Sequence, residues 1–490
     1  MSRTLIINSC FILRKHKGEL LFNQRSEILL TTVRRTRRML SNSLANRDIQ
    51  SQIHPQTNLE QHERCGPVVM ASGDGAIVTD INGKTYIEGM SGLWCTSLGL
   101  KEDRLARAAA RQFDTLPYYQ NFAHRGTEPA IDLAAKLLEI SPVPMSKVLF
   151  QSSGSEANDT AVKLIWYHFA AQGRPEKRKI ISRERGYHGT SVASASITGL
   201  PHLHTDWHLP LDGFLKVTCP HFYREGRAGE SEDAFATRLA REVEDLILAE
   251  GPETVAAFFA EPAMGTGGVV LPPAGYFEKV QAVLDRYDVL MVADEVITAF
   301  GRTGTWWGSQ TFGLKPDLIT CAKALTAAYM PLSAVLISEP IYQSMLAQSR
   351  KIGVFGHGYT YGAHPVACAV ANEALRIYEE DGVIDGVPAL GQRMKNALAP
   401  LRDHPLVGEV RGMGLMWGIE IVRDKESRAP FPAEAGVPAK VQDAAFRRGL
   451  VCRALGSAIA LAPPLIVTPE QVDDIGRIMA EAVDEVHASL

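Results

Sequence analysis

The stretch DLITCAKALTAAYMPLSAV, residues 317 to 335, holds one lysine, Lys323, in a run that carries no other charge after Asp317. Burying an ammonium group among apolar neighbours either costs several kcal/mol or drives off its proton. A lysine deprotonated in this way is a nucleophile that condenses with carbonyl compounds. Two carboxylates sit in comparable positions: Asp294 directly follows VLMVA (289 to 293), and Glu261 directly follows VAAFFA (255 to 260). A carboxylate at a buried strand end needs a cation or strong donors, and taken singly each of these reads as a salt bridge or a helix cap. After KVLF (147 to 150) comes QSSGSEAND (151 to 159), a glycine-serine turn entering a helix. There Gly154 and Ser155 present backbone N–H groups and the positive end of a helix dipole to a phosphate, although small residues before a helix are more often simple caps.

The elements that must position these groups follow from the hydrophobic pattern. Short apolar runs at 147–150, 179–182, 255–260, 289–293, 318–320 and 333–338 alternate with amphipathic helices. This alternation predicts a mostly parallel sheet with helices on both faces. Ligands of such sheets bind beyond the carboxyl ends of the strands, which is where Lys323, Asp294, Glu261 and the Gly154–Ser155 turn fall. The helix after SGS carries Ala157, Ala161 and Ile165 on one face and stops at residues 173 to 175 (GRP). Alternation on both sides of Asn82-Gly83 in residues 73 to 94 predicts a two-residue hairpin. REGRAGESED (224 to 233) reads as a surface loop, and GLMWGIEIV (414 to 422) and AIALAPPLIV (458 to 467) as strands. TPEQ (468 to 471) opens the last helix with a threonine cap, a first-turn proline and a capping-box glutamine. There is no internal repeat.

One ligand uses the clustered groups together: an aldehyde that bears a phosphate and a basic ring nitrogen, pyridoxal 5'-phosphate. The lysine takes the aldehyde, the aspartate keeps the ring nitrogen protonated, and the turn holds the phosphate. Tyr187 in RGYHG (185 to 189) offers a flat face for the ring, with a purely structural tyrosine as the alternative.

Composition bounds the remaining possibilities. A chain of 490 residues, 46% apolar and 22% charged, buries a large core in two or more lobes. The net charge of −4 hides an asymmetry, since residues 1–38 carry nine basic and two acidic side chains and the rest carries −11. So acidic a body is a poor nucleic-acid binder, and no nucleic-acid partner is expected. The basic leader fits a targeting peptide, but the preferred reading is a dispensable or mis-assigned extension with Met39 as the true start. No apolar stretch approaches the roughly 18 residues of a membrane helix, so no membrane partner is expected. Seven scattered cysteines lack the spacing of a zinc site or a disulfide scaffold and point to a reducing compartment, taken as the cytoplasm. HLHTDWH (202 to 208) has no cysteine partner nearby, and no metal is expected. GHGYTYG (356 to 362) is one residue too long for a dinucleotide fingerprint.

Seven segments in order resemble the class III pyridoxal-phosphate aminotransferases: 152–163, 186–189, 260–268, 293–304, 322–335, 358–369 and 450–468. The resemblance runs from about residue 50 to the C-terminus and is nearest the amine:pyruvate and β-alanine:pyruvate branch, the omega-transaminases. It implies an α/β fold of type I, with a large domain around a mostly parallel, seven-stranded-type sheet and a small α+β domain built from both chain ends. The expected boundaries are 39–100 and 365–490 for the small domain and 101–364 for the large one, after the 1–38 leader. A homodimer, or a dimer of dimers, with active sites at the interface is also implied.

By motif match, Lys323 bonds the cofactor aldehyde, Asp294 pairs with the ring nitrogen, and Tyr187 and Val296 cover the two ring faces. Gly154 and Ser155 bind the phosphate, Thr360 reaches it from the partner subunit, and Glu261 sits near Asp294. Trp94, Phe122 and Tyr187 line the substrate pocket, with core packing the alternative for Trp94 and Phe122. Arg453 matches a mobile arginine that grips a carboxylate and swings aside for neutral amines, with a surface charge as the alternative. The implied reaction is ping-pong transfer of an amino group from a primary amine or omega-amino acid to pyruvate or a similar keto acid. Thr266 and Ile297 replace residues of the ornithine and GABA aminotransferases and point away from both, and Ala123 suggests a wider pocket. Competing readings are an aminomutase, racemase or decarboxylase of the same fold, and a catalytically silent cofactor-binding relative.

Overall fold

The computed structural model describes residues 43–490, so the basic leader expected at 1–38 lies outside the described residues. The chain forms two compact units divided after Met70. In the described part of the first unit, the helix Leu44–Ser51 is capped by Ser43, whose side chain accepts from Asn46 N. The helix Leu59–Cys65 is capped in the same way by Asn58, which accepts from Gln61 N.

The second unit, Ala71–Leu490, is built on a seven-stranded sheet. Its strands in chain order are β1 (Lys147–Gln151), β2 (Lys179–Arg183), β3 (Phe214–Val217), β4 (Val255–Ala260), β5 (Leu290–Asp294), β6 (Leu318–Cys321) and β7 (Ser333–Ile337). They lie in the order β1-β7-β6-β5-β4-β2-β3. β7 runs antiparallel to both neighbours, and every other pairing is parallel. The central strands are apolar throughout because both faces are covered. Phe258 and Met291 enter one apolar cluster, with the helices Glu232–Glu250, Tyr276–Arg286 and Pro365–Glu380. Their neighbours Phe259 and Val292 enter the other, where they meet Ala157, Ala161 and Ile165 of the helix Gly154–Ala171. Reading the sequence missed β3, a four-residue edge strand with a lysine, Lys216, in its middle.

Three local expectations are corrected. The hairpin between Ile77–Asp80 and Thr85–Glu88 is not closed by two residues. Asp80 N donates to Lys84 O, and one Asp80 carboxylate oxygen accepts from the N–H groups of Asn82 and Lys84, which leaves a three-residue loop. Gly83, at φ 83°, takes the left-handed position that such a loop requires. The segment 224–233 is not wholly a surface loop, because Arg224 ends up against the buried Glu420. The strand expected over 458–467 stops at Leu461, since Pro463 and Pro464 have no N–H for a ladder. The capping box of Thr468 and Gln471 forms as expected and starts the helix Pro469–Ala488.

A second, antiparallel sheet joins Val407–Met413, Met416–Ile421, Ala458–Leu461 and Arg453–Leu455. Glu420 is its buried electrostatic centre. Its carboxylate lies 2.8 Å from Arg411 Nη2 and 2.6 Å from Arg224 Nη2, and it accepts from Ser457 Oγ. Arg411 also donates to Val269 O (2.7 Å) and Gly268 O, so it ties this sheet to the loop that follows β4. Burial alone would push the Glu420 carboxyl up, but Arg411, Ser457 and Arg224 outweigh it and hold it down at about 2.

This depressed value sets a direction for the effect of pH. The stabilisation by Glu420 is complete above its ordinary value of 4.5 and is lost as pH falls towards about 2. Glu420→Gln strands two guanidinium groups and is expected to cost ~3 kcal/mol at neutral pH. Thermal unfolding should show the variant melting lower at pH 7 and the gap to wild type narrowing below pH 4.5. An unchanged midpoint at pH 7 would contradict this assignment.

Candidate active site

Because β4, β5 and β6 are parallel neighbours, their carboxyl ends open side by side. β5 ends on Asp294, β4 runs into Glu261, and β6 runs through Ala322 into Lys323. With Gly154, Ser155, Tyr187 and Val296 they line one pocket. The residues expected to bind the cofactor therefore meet at one place, apart from Thr360.

Lys323 begins a tight 3-10 turn, Lys323–Thr326, and has φ 49°; Ala327 and Ala328 are also left-handed. Three non-glycine residues in that region make a strained turn, which surrounding bonds must hold. Tyr378 OH donates to Ala324 O (2.7 Å) and Thr326 Oγ1 donates to Met330 O (2.6 Å). Among the described residues the Lys323 amine makes no hydrogen bond or ion pair, and the residue keeps some accessible surface at the pocket. Burial pushes its ammonium down from the ordinary lysine value, against the opposing pull of Asp294 and Glu261, while Arg453 adds to the depression. A lower pKa favours the neutral, nucleophilic amine.

Asp294 is held by two side chains that the sequence reading did not single out, those of Asn158 and His188, and by the backbone of Val296. Its Oδ2 accepts from Asn158 Nδ2 (2.8 Å) and lies 2.8 Å from His188 Nδ1, while Oδ1 accepts from Val296 N (3.1 Å). Asn158 cannot turn, because its Nδ2 also donates to His188 O (2.7 Å) and its Oδ1 accepts from Thr320 Oγ1 of β6 (2.9 Å). Both residues lay inside quoted motifs: Asn158 stands one helical turn after Gly154, and His188 directly follows Tyr187. Glu261 is fixed by backbone donors, Tyr187 N to Oε1 (3.0 Å) and Gly265 N to Oε2 (2.9 Å). Burial, with Asp294 nearby, pushes its carboxyl above the usual range.

The helix Gly154–Ala171 has its N-terminus at this pocket, and Ser153 caps it by accepting from Glu156 N. The first N–H groups, on Gly154 and Ser155, have no acceptor within the helix and suit an anion. A Cβ on Gly154 would stand 3.1 Å from both Cγ atoms of Val296, so glycine lets the helix end approach that wall. Gly189, at φ 133°, similarly lies against Ser155, where a Cβ would come within 2.5 Å of Ser155 Oγ. Pyridoxal phosphate fits this donor set: an amine for its aldehyde, an oriented carboxylate for its ring nitrogen, and a helix terminus for its phosphate.

The expected substrate residues are placed less uniformly. Trp94 is 1% exposed, has φ 66°, and packs with Met90, Leu455 and Ile297, the last of which lines the pocket. Phe122 is exposed and faces Gly358, where a Cβ would meet its ring at 2.8 Å. Thr360 is exposed, and its carbonyl accepts from Tyr118 OH (2.8 Å). Arg453 is half-buried near Tyr187, without an ion-pair partner among the described residues, and burial lowers its pKa.

Comparison with known proteins agrees with this geometry. A sequence model of the family described as aminotransferase class-III matches residues 59–483. Gamma aminobutyrate transaminase 1, mitochondrial, of Solanum lycopersicum is 48% identical over 86% of this chain and 82% of its own. Vanillin aminotransferase of Capsicum annuum is 47% identical over 86% of this chain and 92% of its own. Among solved structures, the omega transaminase of Pseudomonas jessenii in complex with PMP superposes with a TM-score of 0.90 at 50% identity, covering 91% of this chain and 98% of that one. The expected cytoplasmic location is overturned by these relatives, since those from tomato are named mitochondrial or chloroplastic.

The depressed pKa of Lys323 can be read chemically in protein freed of any cofactor. Pyridoxal phosphate followed by borohydride at neutral pH should label Lys323 well before Lys101, whose side chain is 67% exposed. Peptide mass mapping that found the two labelled equally would remove the argument for an activated amine.

Proposed function

The chain belongs to the class III aminotransferases and is a pyridoxal-phosphate-dependent transaminase, and on that premise we propose its substrates and the roles of its residues. The donor is a primary amine or an omega-amino acid, the acceptor is pyruvate or a similar keto acid, and the two half-reactions alternate in ping-pong fashion. The observation that carries this reading is the desolvated Lys323 amine at the ends of β4, β5 and β6, beside Asp294 and the Gly154 helix terminus.

When bound, pyridoxal phosphate supplies a reactive carbonyl carbon and an electron sink. Lys323 Nζ would carry the proton from the donor carbon beside the amino group to the cofactor's carbon, as general base and then general acid. Asp294, oriented by Asn158 and His188, would hold the ring nitrogen, with Tyr187 and Val296 on either side of the ring. Gly154 and Ser155 would bind the phosphate from one subunit and Thr360 from the other, in a homodimer. Its exposure, away from its own pocket, suits a residue that serves a partner's site. Glu261 would steady the wall behind Asp294. A large domain over 101–364 and a small one from 39–100 and 365–490 remain our reading of the architecture.

Arg453 supports dual donor use. A guanidinium near Tyr187 with no partner carboxylate among the described residues can take one from an omega-amino acid or a keto acid. Trp94 and Phe122 would shape the apolar side. Thr266 and Ile297 point away from GABA, yet GABA transaminases are among this chain's relatives. That acid therefore belongs with the candidate donors. The names of the plant relatives favour an organelle as the site of action.

Two measurements check the proposal. The visible band of the bound cofactor should fade when a primary amine without a carboxylate is added and return with pyruvate, and Lys323→Ala should abolish the cycle. A band indifferent to amines and amino acids would end the proposal for these donors. Arg453→Ala should raise KM for an omega-amino acid by about tenfold or more, the worth of a charged hydrogen bond, while sparing a neutral amine. Equal losses on both donors would show that Arg453 is structural.

A further inference from the structure

The described residues of the first unit pose a problem of stability. Their two helices have eight and seven residues, and neither contains a buried one. Helices this short are not stable alone, and small units without an apolar core depend on cross-links, metals or association. Yet three side chains from the two helices and their connection converge on one point. His54 Nε2 is 3.0 Å from each carboxylate oxygen of Asp48, and His62 Nε2 is 2.9 Å from Oδ1. The imidazole rings stack with centroids 4.2 Å apart and planes 30° apart. The three donor atoms lie within 4.8 Å of one another, the only such His, Cys, Asp or Glu group among the described residues.

Two chemistries fit stacked imidazoles that both turn Nε2 to one carboxylate. In a hydrogen-bonded clasp, both rings carry Nε2–H and crowd two donors onto one oxygen. In a ligand set, both rings carry their proton on Nδ1 and share the carboxylate through an ion. A tetrahedral ion with ligand distances of about 2.1 Å separates its donor atoms by roughly 3.4 Å, a few tenths of an ångström more than the 3.0 and 2.9 Å that separate the Asp48 carboxylate from the two imidazoles. Side-chain exposures of 17% for Asp48 and 30% for His54 leave a path for the ion and for a water ligand.

We propose that Asp48, His54 and His62 bind a divalent transition-metal ion, zinc by preference, which clips the helices Leu44–Ser51 and Leu59–Cys65 together. Two imidazoles and one carboxylate suit zinc, copper or nickel and not magnesium or calcium, whose ligands are oxygens. Because the site forms only when both helices are in place, the binding energy of the ion would add to the stability of these two helices, which bury no residue of their own.

The test uses full-length protein without an affinity tag, stripped with a chelator and titrated with zinc against a chromogenic chelator. Wild type should bind about one ion per chain, and His54→Ala and His62→Ala should each lose it. Cobalt should give wild type the visible spectrum of a tetrahedral site, displaced by zinc. Asp48→Asn keeps the size of the side chain, weakens the ligand, and should lower affinity at least tenfold where an alanine variant fails to fold. Retention of the visible cofactor band shows the larger unit intact in each variant, and unchanged helical circular dichroism of each zinc-free variant against zinc-free wild type shows the two helices still formed. Failure of wild type to bind zinc, or undiminished binding in the variants, would overturn the proposal and leave a hydrogen-bonded clasp.

Discussion

A largely desolvated amine beside two buried carboxylates is the constraint around which the larger unit is organised. Lys323 is useful only while its environment disfavours its charge, and the same environment raises the cost of any carboxylate placed opposite it. The chain handles the two acids differently. Glu261 is pushed up by burial and satisfied by the backbone N–H groups of Tyr187 and Gly265. Asp294 receives side-chain donors from Asn158 and His188, on elements outside its own strand. Two neighbouring acids thus have distinct surroundings, which suits them to distinct tasks.

These placements depend on the parallel packing of β4, β5 and β6, which brings three strand ends to one edge, and on the helix Gly154–Ala171, which delivers Asn158 as well as the anion-binding turn. One apolar face of that helix, Ala157, Ala161 and Ile165, fixes its depth on the sheet. The strained turn at Lys323 is held from outside by Tyr378 of the helix Pro365–Glu380. Arg411 acts similarly at longer range, linking the buried Glu420 to the carbonyls of Gly268 and Val269 beyond β4. Substitutions far from the pocket can therefore alter its geometry through few intermediates.

Much of this was legible in the chain. Continuous apolar runs betrayed the central strands because a sheet covered on both faces has no polar side to alternate with, and the chemically pointed residues lay within a few positions after those runs. β3 escaped because an edge strand of four residues can tolerate Lys216. The hairpin was misjudged because Asn-Gly suits both two- and three-residue loops, and the choice was made by the Asp80 carboxylate binding Asn82 and Lys84. Cellular location was misread from cysteine usage, which reports redox conditions and not an address.

By itself the sequence determined which groups stand at strand ends, and hence the lysine, the carboxylates and the phosphate turn, because strand periodicity and local turn chemistry are encoded over a few residues. Only the tertiary structure decided what orients them. Asn158, His188 and Thr320 lie far apart in the chain and meet at Asp294 only once helix and strands are packed, so no local pattern marks them as a set. The depression of the Lys323 pKa likewise belongs to the assembled pocket, since desolvation is a property of surroundings and not of neighbours in sequence.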